Sequence, residues 1–238
     1  MKLKFQILPL LFIIFATSLF AQNETIIKGS FYYPQRLDKW EYKQQLSLTL
    51  ASLPEDYIEE ANSMVYAPLF QYAAELGYEK GFALRGRFWT NFVTYNFTLG
   101  PRWSYRHGRL SAALGIDISY IFGRLKRFGF NNTIHTWYIH PNINLGIAFN
   151  QFTLTFGAEI NSIISTSQYV DSVPISSGET GFNGISIFAF VEQPFWSDKF
   201  LSIGLRMNYH QLYFPAWAVF PTWDRLSFIP EFIIGINL

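Results

Sequence analysis

The sequence predicts an all-β chain, a transmembrane antiparallel up-and-down β-barrel of about ten strands. Three observations carry this. A period of two in hydrophobicity recurs from about residue 44 to the last residue. The segments that carry it are long, and short and long connections alternate between them. Successive side chains of a strand point to opposite faces, so each such segment has one apolar and one polar side.

Composition points the same way. Of 238 residues, 50% are hydrophobic, 19% aromatic and 15% charged, against about 25% charged in soluble domains. A chain short of charge has too little Lys and Glu to cover a water-facing exterior. The formal net charge of +1 gives no electrostatic case for nucleic acid. Cysteine is missing, which excludes disulfides, thiolate metal sites, Cys nucleophiles and a lipid-modified N-terminal Cys.

Residues 1–21 read as an export leader. Lys2 and Lys4 precede an apolar stretch from Ile7 to Phe15, and Ala16 to Ala21 closes on a small residue. Cleavage is expected before Gln22. Leu19 at the minus-three position departs from the usual small residue, and an uncleaved anchor is the alternative, although the apolar run is short for a span.

The barrel segments follow in order. Weaker alternation marks strands at about 43–53, 66–78, 82–89 and 92–106. The apolar phase switches between Trp89 and Phe92, from Phe82, Leu84 and Phe88 to Val93, Tyr95, Phe97 and Leu99. A tight Thr90-Asn91 turn explains the switch; a bulge would explain it too, and would leave eight strands. From Arg109 to Gly123 the pattern is clear. Leu110, Ala112, Leu114, Ile116, Ile118, Tyr120 and Phe122 share one face, and Ser111, Gly115, Asp117 and Ser119 the other. Segments 135–149 and 152–164 repeat it, joined by the two-residue connection Asn150-Gln151. Candidates at 183–195 and 199–213 and a final strand from Ser227 to Leu238 complete the set.

Connections at 79–81, 107–108, 150–151 and 196–198 are short, whereas 54–65, 124–134, 167–182 and 214–223 are longer. Ser52-Leu53-Pro54-Glu55 is placed to cap a brief helix in the first long loop. The leader, the dyad-repeat strands, the alternating turn lengths and the C-terminal Phe232-Ile233-Ile234-Gly235-Ile236-Asn237-Leu238 resemble the small outer-membrane β-barrel proteins of Gram-negative bacteria. The final Leu238 stands where many of those proteins carry an aromatic. The resemblance implies an outer-membrane location, contact with outer-membrane lipid and delivery to the barrel assembly machinery. It also makes 22–42 a periplasmic lead-in and 43–238 the barrel.

Period alone does not say which face is inside, because lipocalin-like barrels and sandwiches also alternate. The chemistry of the faces decides. Tyr120, Phe122, Trp137, Phe149, Phe152, Trp103, Tyr105 and Tyr213 gather toward strand ends on the apolar face, the pattern of aromatic girdles. The opposite face carries Glu75, Arg85, Arg87, Arg102, Asp117, His140, Asn142, Glu159, Asn161, Glu192, Arg206 and Glu231. These are groups that pair where water is scarce. They are expected to form an interior network that fills a narrow barrel. Counting back from the 79–81 turn puts Glu75 opposite Arg85, with Arg87 diagonal. The 150–151 turn puts Asn142 opposite Glu159 and His140 opposite Asn161.

No catalytic, cofactor or metal-ligand motif is present. The leading reading is a non-enzymatic structural, docking or narrow-pore barrel, with a small solute as a possible cargo. The alternatives are a rim-sited hydrolase and a hydrophobic-ligand carrier. The hydrolase would use His210 and Asn208, with Asp224 and Ser227 on the adjoining strand as partners. The carrier would use the apolar 214–223 loop with Trp217, Phe220 and Trp223. His210 as a member of the interior network is the plainer reading of that residue.

Overall fold

The computed structural model describes residues 24–54, 65–127, 130–171, 173–177, 180–196, 198–219 and 225–238. The leader, Asp224, Phe220, Trp223 and the residues that would extend a helix beyond Pro54 lie outside them. A short helix α1 (Glu24–Gly29) is followed by eleven strands: β1 (Tyr42–Leu53), β2 (Val65–Gly77), β3 (Phe82–Thr90), β4 (Thr94–His107), β5 (Leu110–Arg127), β6 (Phe130–Ala148), β7 (Thr153–Val170), β8 (Val173–Ser177), β9 (Gly181–Trp196), β10 (Lys199–His210) and β11 (Ser227–Asn237). Ten of these form a closed antiparallel barrel. Each pairs with its neighbour in sequence, β7 with β9 across the β8 hairpin, and β1 closes on β11 through Leu48 opposite Ile234. β8 pairs only with the far end of β7.

The choice between ten strands and eight is made at Asn91. Its side-chain Oδ1 accepts from the backbone N–H of Val93 at 3.2 Å and of Thr94 at 2.7 Å. Phe92 takes φ 68°, and the chain reverses so that Phe88 faces Phe97. This is a turn held by a local Asn side chain, and the phase switch is its trace in sequence. At the other end, Phe149 N–H donates to Phe152 C=O at 2.8 Å across Asn150-Gln151. Gly81 turns at φ 83°, and a Cβ there would lie 2.5 Å from the Ser104 carbonyl.

Two expected loops are shorter than the sequence pattern implied. β5 and β6 remain paired up to Arg127 and Phe130, and β7 runs on to Val170 before β8 turns back on it. The reason is chemical. Apolar alternation marks a strand only where one face meets an apolar medium, and the extensions carry polar residues such as Arg124, Asn131 and Thr133. The barrel is therefore tallest along β5–β7.

The faces fall as the period predicts. Leu110, Leu114, Ile118, Leu99, Phe97, Leu145 and Ile187 are exposed on the outer wall, while Asp117, Ser119, His140, Asn144, Glu159, Thr155 and Glu231 are buried inside. An outer wall of this kind is stable only against lipid.

The segment expected to be a lead-in outside the barrel goes into it. Residues Ile27, Ser30, Phe31, Tyr32, Tyr33, Gln35 and Leu37 are buried, packed inside the end that carries the short turns. Tyr33 and Pro34 lie over Gly146 of β6, where a Cβ would meet the Pro34 ring at 2.6 Å. No period of two runs through 24–41, because this stretch has no sheet neighbour and no lipid face to impose one.

Arg in place of Ile116 or Ile143, which are 51% and 44% exposed on the outer wall, should cost roughly 2–4 kcal/mol at mid-membrane depth. The urea midpoint of the barrel refolded into lipid vesicles measures this. Two undisturbed midpoints would mean that these side chains do not face lipid.

Candidate functional site

The lumen is built in three layers: a plug at the turn end, a charged belt, and a cap at the loop end. The plug hangs on Glu192 of β9, which is fully buried. Its Oε1 accepts from Phe31 N–H at 2.7 Å, and its Oε2 from Tyr32 N–H at 2.9 Å and Tyr33 N–H at 3.0 Å. Ser202 and Asn237 each donate to Oε1 at 2.9 Å. A carboxylate bound by this many donors is compensated without a cation. Lys43 donates to Ser30 C=O, Ser111 to Pro34 C=O, and Tyr33 hydroxyl to Arg109 C=O. The Tyr32 ring stacks on Phe190 with centroids 3.5 Å apart.

Above the plug lies the charged belt. Glu75 stands opposite Arg85 in the ladder, as the turn geometry predicts, but its carboxylate pairs with Arg102, Nη1 to Oε2 at 2.9 Å. Arg87 bridges Asp117 at 2.9 Å and Glu159 at 3.3 Å. Arg85 instead sits over the rings of Phe31 and Tyr32, 5.5 and 6.0 Å from their centres. The plug was not foreseen, so neither was this use of Arg85. Asn142 stands opposite Glu159 as expected.

From Glu159 a chain of polar groups climbs toward the cap. His140 Nδ1 is 2.7 Å from Asn161 Oδ1 and 3.8 Å from Glu159, and its Nε2 is 2.8 Å from Ser119 Oγ. Asn161 Nδ2 is 3.0 Å from His210 Nε2, and Ser186 Oγ is also 3.0 Å from that nitrogen. Ser186 donates to Asn208 Oδ1 at 2.7 Å. His210 is only 9% exposed. It stands opposite Ser227 in the ladder, yet the hydroxyl at its ring nitrogen is that of Ser186. A serine has one proton to donate. Here Asn208 Oδ1 at 2.7 Å and His210 Nε2 at 3.0 Å are both in reach of that proton, so the arrangement is a buried hydrogen-bond relay.

The cap is the 3-10 segment Phe214–Val219 with the residues before it. Leu212 N–H donates to Asn183 Oδ1 at 3.0 Å, and Asn91 Nδ2 to Pro215 C=O at 2.6 Å. Trp217 donates its Nε1–H to Thr94 Oγ1 at 3.2 Å. Phe214, Trp217, Leu212 and Tyr213 pack with Ile121, Ile134 and Tyr138 in one apolar cluster. Trp217 therefore faces down into the barrel. Tyr213 is pulled to Glu231 by a 2.7 Å hydrogen bond. Between belt and cap a cavity of about 90 Å³ remains, lined among others by Arg87, Tyr138, Glu159, Arg206, His210 and Glu231. Among the described residues, no group of three His, Asp or Glu side chains is placed to hold a metal ion.

The sequence therefore identified the belt residues but missed their partners in the plug, Ser30 to Pro34. It also missed Asn183 and Ser186 around the cap, and it set Tyr213 on the outer aromatic face, whereas Tyr213 is buried and bonded inward to Glu231 beneath the cap. The one signal for the plug is the cluster Phe31-Tyr32-Tyr33-Pro34 in a stretch without turn or strand pattern.

Replacing Arg87 by Gln leaves Asp117 and Glu159 buried without their shared cation. Breaking a buried pair in this way should cost about 3–5 kcal/mol, read as a lowered urea midpoint. A change under 1 kcal/mol would show that Arg85 or water takes over.

No protein-family model matches the sequence, and no curated protein matches it. Solved structures do. Neisserial surface protein A is 14% identical with a TM-score of 0.39, the match covering 83% of this chain and 96% of that one. The translocator domain of the autotransporter NalP from Neisseria meningitidis is 5% identical with a TM-score of 0.38, over 82% and 86%. The KdgM porin is 10% identical with a TM-score of 0.36, over 80% and 97%. The chain itself is a closed antiparallel ten-strand β-barrel with an apolar outer wall and a charged lumen.

Proposed function

We propose that this protein is a non-enzymatic barrel of the bacterial outer membrane, a narrow pore held shut by its own N-terminal segment. Residues 1–21 export it and are removed. Its last strand presents it to the barrel assembly machinery, and its outer wall then rests in outer-membrane lipid. The short turns, the start of β1 and the end of β11 face the periplasm, by the usual asymmetry of these proteins. Exposed aromatics near the strand ends, such as Trp103 and Tyr105 near the turns and Tyr209 and Phe228 near the loops, suit the two membrane interfaces.

The observation that carries the pore reading is the hold of Glu192 on three consecutive backbone N–H groups of the plug. A lumen needed only as structural filling is made of strand side chains. This one is closed instead by a separate segment, joined to the barrel through a single connection at β1. Hydrogen bonds to one carboxylate can be exchanged for water, so the closure is reversible in principle. The hydrolase reading is weakened by the position of His210 beneath the cap, and the ligand-carrier reading by the inward packing of Trp217.

In planar bilayers the wild-type chain should be silent. A Glu192→Ala/Trp217→Ala double variant, freed at both ends, should give discrete conductance steps. Gly146→Val with Trp217→Ala should do the same by crowding Tyr33 and Pro34, whereas Trp217→Ala alone should stay silent. Heat-modifiable gel migration checks that each variant is a folded barrel. Silence of both folded double variants would leave a purely structural or docking barrel.

A further inference from the structure

We propose that the chamber between belt and cap is a binding site for one small oxyanion, a carboxylate or a phosphate, held by Arg206. The cation is unspent. Among the described residues Arg206 forms no ion pair, and its only contact of note is with the Phe188 ring, 5.3 Å from the guanidinium carbon. Its Nε is buried with no hydrogen-bond partner. The acid directly across the ladder is Glu231, whose Oε1 accepts from Tyr213 of the cap at 2.7 Å and which forms no ion pair with Arg206 among the described residues. The other acid lining the chamber, Glu159, is paired with Arg87.

A second observation lies across the lumen. Tyr138 lines the same cavity, its residue is 2% exposed, and its buried hydroxyl oxygen has no hydrogen-bond partner. Its ring is fixed by stacking on His140 and by an edge contact with Phe214, so the hydroxyl is held where it is. The chamber thus offers a guanidinium and a phenol O–H that the protein leaves unused, both of them able to donate. Water alone would leave the half-buried guanidinium without an ion pair among the described residues, with Glu231 across the ladder already engaged by Tyr213. A planar or tetrahedral oxyanion meets the guanidinium fork in two parallel hydrogen bonds. A cavity of about 90 Å³ has room for roughly three waters by volume, or one small oxyanion.

The site stands on the chamber alone, so a barrel that never conducts would leave it intact. It is tested by equilibrium binding of radiolabelled inorganic phosphate and, separately, acetate to the full-length barrel in detergent, with folding checked by heat-modifiable migration. Saturable binding of one anion per chain is expected. Glycerol and ammonium should not compete. Arg206→Gln should weaken the affinity by about tenfold or more, as for loss of a charged hydrogen-bond pair. Tyr138→Phe, which removes only a hydroxyl, should weaken it by a smaller factor. Trp217→Ala should speed uptake without lowering affinity. The two labels separate a phosphate site from a carboxylate site. Absence of saturable binding of either anion to wild type and to Trp217→Ala would overturn the proposal. So would undiminished binding in Arg206→Gln or, if that variant does not fold, in Tyr138→Phe.

Discussion

A chain that crosses lipid by strands must pair every backbone N–H and C=O within itself, because the surrounding medium offers no partner. Here that demand is met by one long-range event, the pairing of β1 with β11 from Gln45–Asn237 to Ala51–Glu231. Everything else depends on it. Closure removes the sheet edges, divides each strand into a lipid side and a lumen side, and sets a lumen narrow enough for side chains to meet across it. The alternation legible in the sequence is the chemical record of that division.

A narrow lumen then imposes its own rule. Charged groups inside it are removed from bulk water and must be paired or fully hydrogen-bonded. The acids satisfy this in three ways: Glu75, Asp117 and Glu159 take arginines, Glu231 takes the cap's Tyr213, and Glu192 takes the plug's backbone. The arginines are less evenly served. Arg85 and Arg206 rest on aromatic rings, a contact that compensates a cation only in part. That unevenness, hidden in a nearly neutral count of charges, is what distinguishes the chamber from inert filling.

The two closures differ in kind. The plug joins hydrogen bonds, three of them from its backbone to Glu192, with packing of Phe31, Tyr32 and Tyr33 against the barrel interior. The cap is an apolar cluster, tied at its rim by Asn91, Asn183 and Thr94. A polar hold can exchange with water, whereas an apolar one is displaced only by exposing its rings.

What the sequence determined by itself was the barrel: the strands, the direction of each face, the turn at Asn91 as one of two options, and the membership of Glu75, Arg87, Asp117, His140 and Glu159 in an interior network. These are consequences of local periodicity and of short turns, and both are readable within a window of neighbouring residues. What only the tertiary structure decided was who meets whom across the lumen. Glu192 and Phe31 are separated by 161 positions, and Arg102 displaced Arg85 at Glu75 although the register was read correctly. His210 found Ser186 and Asn161 in place of a rim partner. The plug left no period because it touches neither lipid nor a sheet neighbour. Its location follows from the shape of a closed lumen, which no stretch of sequence contains.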